Sequence, residues 1–103
     1  MKYRKFGKTD FQSSILGFGV MRLPVEGENY GKIKEDEAIE MLHYAIDNGV
    51  NYLDSGYGYH EGMSEVIIGK ALQNGYREKV RVATKMPGWE VQKYEDFDRI
   101  FDQ

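Results

Sequence analysis

The stretch EDEAIEMLHYAIDNGVNYLD, residues Glu35–Asp54, decides the fold. Ala38, Ile39, Met41, Leu42, Ala45 and Ile46 recur at three- and four-residue steps, which predicts a helix over Glu35–Asn48 with one apolar face. Glu35, Asp36 and Glu37 crowd its first turn, where the helix dipole favours negative charge. Asn48-Gly49 ends it, because glycine takes the left-handed conformation cheaply. Val50–Asp54 then reads as a short strand, followed by a glycine- and aromatic-rich loop over Ser55–Gly62. The same unit repeats downstream. Ser64 reads as the cap of a second helix from Glu65 to about Gln73, Asn74-Gly75 closes it, and Val80–Lys85 is another strand. Gly69 inside that helix suggests close packing against a neighbour. Upstream, Ile15–Met21 is a strand-like apolar run, preceded by a short polar start over residues 1–14 with a turn at Gly7–Asp10. Arg22–Lys34 and Met86–Lys93 read as loops, and Tyr94–Gln103 as the opening of a third helix with Tyr94, Phe97, Ile100 and Phe101 on one side. Strand and helix alternate three times, with about thirty residues per unit. That is the pattern of consecutive βαβ units on a parallel sheet, an α/β fold.

A chain of 103 residues has room for one domain, here 1–103. Net charge is −3 and the 14 basic residues are scattered, so no nucleic-acid footprint is expected. No apolar run approaches the ~20 residues of a membrane helix, and Met1–Phe6 leads into no signal sequence. The absence of cysteine excludes disulfides and thiolate metal sites in this chain, and fits a reducing cytoplasm. Parallel sheets persist with both faces covered. Three strands with two and a half helices should leave two open edges and much apolar sheet face. The chain therefore reads as the first part of something larger, and as a homo-oligomer or a partner of the missing remainder if folded alone.

In parallel α/β folds the carboxyl ends of the strands form the working rim. Asp54 ends one predicted strand and Lys85 the next. Neighbouring strands lie about 4.8 Å apart, within ion-pair reach. Tyr59 follows on the loop that crosses the same rim. A tyrosine hydroxyl ordinarily titrates near ~10, and a nearby ammonium stabilises its phenolate. Such a trio suits proton donation to a developing alkoxide. A structural ion pair with a packing tyrosine has the same spacing. Gly17-Phe18-Gly19-Val20-Met21-Arg22 begins like a dinucleotide fingerprint, but arginine replaces the third glycine and no helix follows, so it reads as a strand-end bend. Gly69-Lys70-Ala71 lacks the remainder of a P-loop. His60-Glu61 has no second histidine at ligand spacing, so no metal is expected. His60, Met86 and Trp89 are candidates for contact with a substrate. A receiver domain also pairs a strand-end aspartate and lysine, but it needs acids where Gly19–Arg22 stand, and five strands.

The residues also resemble a known family. Asn51–Tyr59, Gly62–Glu65, Gly69–Leu72, Tyr76–Val80 and Ala83–Lys85 are similar to the aldo-keto reductases, as are Tyr3–Thr9 and Leu16–Pro24. The likeness is greatest to bacterial members with a ferredoxin-like iron–sulfur region at their far end. It covers the whole chain but about the first third of a usual catalytic domain. What it implies is the N-terminal portion of a (β/α)8 TIM barrel that transfers hydride from NADPH to an aldehyde or ketone. Asp54, Tyr59 and Lys85 match three of the family's four catalytic residues, with Tyr59 as general acid. The fourth, a histidine, follows a strand beyond this chain. The resemblance puts the backbone of Gly19, Val20, Met21 and Arg22, with Asp54, near the nicotinamide. The phosphate and adenine anchors come from the last barrel strands, so this chain alone is expected to bind NADPH weakly and to be weakly active or inactive. The alternative is a truncated, non-catalytic fragment that folds by self-association. Ser55-Gly56 replaces the commoner threonine-alanine.

Overall fold

Leu53 has no exposed surface, and the parallel sheet is built around it. The computed structural model describes residues 1–103. Its sheet has the order β3–β4–β5, with β3 at Phe18–Gly19, β4 at Tyr52–Asp54 and β5 at Arg81–Ala83. Both pairings are parallel, with Phe18 and Val82 flanking Leu53, and Gly19 and Ala83 flanking Asp54. Side chains alternate across a strand. Phe18, Leu53 and Val82 therefore share the face that packs on the helices. Gly19, Tyr52, Asp54, Arg81 and Ala83 share the other.

Helix α1 spans Glu35–Asp47 and α2 spans Met63–Ala71. Ala38, Leu42 and Ile46 of α1 and Ile67, Ile68 and Ala71 of α2 join Val20, Leu23, Val50, Leu53, Leu72 and Val80 in one core. Gly49 closes α1 at φ +104. Helix α3, Tyr94–Phe101, buries only Ile100; Tyr94 and Phe101 are exposed. The Asp96 carboxylate accepts the amides of Gln92 and Lys93 at its start, which holds that carboxyl below its ordinary range, helped by Arg99. No helix is long and apolar enough to cross a membrane.

Four local expectations differ from the structure. Residues 1–14, read as a short polar start with a turn, also hold two strands: Tyr3–Lys5 (β1) and Gln12–Ser14 (β2) form an antiparallel hairpin around that turn. Its strands are short and polar, with β1 exposed and only Ser14 of β2 buried, so no apolar alternation marks them. The first parallel strand shrinks to Phe18–Gly19, and Ile15 and Leu16 are exposed. A Cβ on Gly69 would meet nothing within 4 Å, so that glycine marks no close contact. The sheet face away from the helices is not apolar but carries Tyr52, Asp54 and Arg81. The open layer shows in the dimensions, 41 × 41 × 22 Å, and in a radius of gyration of 14.8 Å. A compact chain of this length has roughly 13 Å.

The hairpin is fastened at the start of β4, the end of the sheet opposite Asp54. Asn51 accepts the Ser14 amide at 2.8 Å and donates to the Gln12 carbonyl at 2.8 Å. Tyr3 donates to the Gly49 carbonyl, and Phe6 stacks on Tyr52. Asn51→Ala removes both side-chain bonds and is expected to cost about 1–3 kcal/mol, read as a lower urea midpoint at unchanged slope.

Candidate active site

Asp54 is the last residue of β4, and Lys85 lies two residues beyond its register partner Ala83. Equal parity sends both side chains to the face without helices. Lys85 Nζ donates to Asp54 Oδ1 at 3.0 Å, to Oδ2 at 3.1 Å and to the Ser55 carbonyl at 2.8 Å. The ammonium is thereby held between the Asp54 carboxylate and the Ser55 carbonyl. Nζ also lies 4.7 Å from the centroid of the Tyr59 ring. Tyr59 first, and Asp54 second, hold the ammonium above the ordinary lysine range, while desolvation pulls the other way. The Lys85 and Asp54 side chains are 51% and 45% exposed, so solvent screens the pair and its worth to stability is small. What it secures is a positive charge at a set place beside a phenol.

Tyr59 opens a 3₁₀ turn over Tyr59–Gly62, after the loop that leaves β4. Its ring lies over Gly56: a Cβ there would come within 2.8–3.0 Å of Cε1, Cδ1 and Cζ. Gly56→Ala is expected to displace the ring from Lys85, read as a change in the Tyr59 aromatic proton shifts with the fold retained. Gly56 lets the ring lie directly on the backbone, and an alanine there would require the ring to shift. Neither Gly56 nor the Ser55 carbonyl carried a sequence signal for such a role.

Gly19 is paired with Asp54 in the register, and a Cβ on it would meet nothing within 4 Å. Met21 and Arg22 are exposed beside it. Val20 differs: its side chain is fully buried in the core, its amide bonds to the Asp54 carbonyl, and its own carbonyl accepts from Ser64. Only backbone at Val20 can face the rim. Ser64 does not cap α2. The helix starts at Met63, two residues before the expected Glu65 and after Gly62 at φ +91, and the buried Ser64 hydroxyl instead joins Ser55 Oγ at 3.0 Å and Val20.

His60 and Trp89 do not wall a common pocket. His60 is fully buried beneath the rim, with both ring nitrogens engaged by backbone groups of Leu23 and Tyr30. Trp89 sits on a 3₁₀ turn over Gly88–Glu90, is 75% exposed, and lies against Gly58. A cleft of about 630 Å³ opens between the Tyr57–Gly62 loop and α3, with Met86 in its wall. Lys85 reaches it, but Asp54 and Tyr59 do not line it. The three polar groups thus meet on the open sheet face and not in that cleft.

Residues 15–100 match the family described as the aldo/keto reductase family. A probable aldo-keto reductase 1 of Glycine max is 36% identical over 81 residues, which is 79% of this chain and 23% of that protein. The holo form of an aldo-keto reductase from Bacillus halodurans superposes with a TM-score of 0.69 at 34% identity, over 84% of this chain and 26% of that one. An aldo-keto reductase from Klebsiella pneumoniae in complex with NADPH gives 0.69 at 20% identity, over 99% of this chain and 36% of that one, a likeness of fold. The chain spans about a quarter of the length of the curated relatives it matches. Its parallel βα units are part of the (β/α)8 barrel fold of these reductases.

Proposed function

The chain belongs to the aldo/keto reductase family, and from that premise we propose that it carries the proton-donating part of an NADPH-dependent carbonyl reductase, with Tyr59 as general acid. The observation that supports this is the meeting of three groups: Lys85 Nζ 3.0 Å from Asp54 and 4.7 Å from the Tyr59 ring centroid. The nicotinamide end of the cofactor suits the residues present. Gly19 offers open backbone next to Asp54, flanked by the exposed Met21 and Arg22. When bound, the reduced nicotinamide supplies a hydride to the carbonyl carbon. Tyr59 Oη gives its proton to the carbonyl oxygen, so the carbonyl becomes an alcohol. Lys85 stabilises the negative charge left on the phenol oxygen, and a solvent proton restores it. Asp54 and the Ser55 carbonyl hold Lys85 in position. The substrate class is aldehydes and ketones, and the setting is the cytoplasm. The test is carbonyl-dependent loss of nicotinamide absorbance with stoichiometric alcohol formation. Alcohol formed without NADPH consumption, or reduction that proceeds equally well in Tyr59→Phe, would refute it.

A second reading rests on a separate observation. The outer edges of β3 and β5 have no strand partner, and Trp89, Phe97 and Phe101 are exposed near one of them. Unpaired edges beside apolar side chains favour association, either with another copy or with further barrel strands. Light scattering of the 103-residue chain is expected to give a multiple of 11.9 kDa. A monodisperse 11.9 kDa species would exclude self-association.

A further inference from the structure

We infer that His60 is a positioning residue: it fastens the turn carrying Tyr59 to the loop that follows β3, and so sets where the phenol stands. The inference rests on the reading of Tyr59 as proton donor and adds a residue to it. His60 Nδ1 lies 2.7 Å from the Tyr30 carbonyl, and the Leu23 amide donates to Nε2 at 2.9 Å. A carbonyl only accepts and an amide N–H only donates, so the ring is neutral with its proton on Nδ1. The ring also stacks on Tyr30, with centroids 4.2 Å apart and planes 28° apart.

The backbone shows what these contacts hold in place. His60 (φ 53, ψ 41) and Glu61 (φ 56, ψ 34) both occupy the left-handed region, two non-glycine residues in succession. Such a conformation persists only where surrounding contacts over-determine it. The two hydrogen bonds and the stack on a fully buried ring supply that constraint. Tyr59 is the next residue along the chain and moves with the turn. The other end of the latch matters equally. Tyr30 donates its hydroxyl to the Met21 carbonyl at 2.9 Å. One imidazole therefore links Tyr59 to the Met21–Leu23 backbone, the two sides between which a carbonyl would sit.

The experiment is nitrogen-15 NMR on the 103-residue chain. In the native protein we expect His60 as the Nδ1–H tautomer and a Leu23 amide that exchanges slowly. His60→Phe keeps the ring stack but removes both hydrogen bonds. It is expected to speed Leu23 exchange at least about tenfold and to shift the Tyr59 ring signals, with the Leu42 and Leu53 amides still protected. His60→Gln, whose amide can still accept from Leu23, is expected to restore part of that protection. In any assay that shows turnover, His60→Phe is expected to lower kcat by about 10–100-fold with KM little changed. A native ring protonated on Nε2, or Tyr59 signals unmoved in a folded His60→Phe, would overturn the inference. Should His60→Phe not fold, the native tautomer and the Gln variant decide. A loss of the enzymatic reading shows separately, as Tyr59→Phe turning over like the native protein while the His60 results stand.

Discussion

Tyr59→Phe is expected to lower carbonyl reduction by about 10²–10⁴-fold, the usual worth of a positioned general acid. The substitution removes one oxygen and leaves the ring that lies over Gly56 and beside the Lys85 ammonium. Packing and cofactor binding should therefore stay near native, and the loss should fall on kcat. Lys85→Met should act on the same step from the other side, because the charge left on the phenol oxygen then has no counter-ion. The two losses should not add, since both groups serve one proton transfer. The pH dependence has a definite sign. Tyr59 and Asp54 raise the Lys85 pKa above the ordinary lysine value. A group raised in the folded state contributes stability that is complete below its unfolded value, about 10.4, and is lost as pH rises through the folded one. Native protein should thus lose stability at alkaline pH more steeply than Lys85→Met. Single-turnover kinetics check the first expectation. A Tyr59→Phe rate within roughly threefold of native would assign the proton to another group.

Leu53→Ala is expected to destabilise the chain by about 2–5 kcal/mol. Leu53 has no exposed surface and stands on the central strand between Phe18 and Val82, under both α1 and α2. No neighbouring strand can close the space without breaking the register that also places Asp54. A domain holds only about 5–15 kcal/mol in all, so much of the population could unfold. Urea unfolding reads this directly. Leu16→Ala is the matched control. Leu16 belongs to the same kind of apolar run, yet it is 59% exposed, and its loss should stay within about 0.5 kcal/mol. Equal costs at the two positions would mean that the core is not centred on β4.

Periodicity along the chain was enough to determine the alternation of helix and strand, the limits of α1 within one residue, and the parallel arrangement. Register then made the Asp54–Lys85 meeting legible, because strand-end residues of equal parity on neighbouring parallel strands must share a rim. These features depend on repeats of two and 3.6 residues, and a repeat can be read locally. The β1–β2 hairpin could not be read so, since its strands bury no apolar side chain and are held by Asn51, nearly forty residues away in sequence. Nor could the inward turn of His60, the Ser55–Ser64–Val20 link, or the seat of the Tyr59 ring on Gly56. Each is a contact between segments that no local pattern ties together. Only tertiary packing decides whether a polar side chain beside a glycine-rich loop faces solvent or finds backbone partners inside, because either place can satisfy its hydrogen bonds.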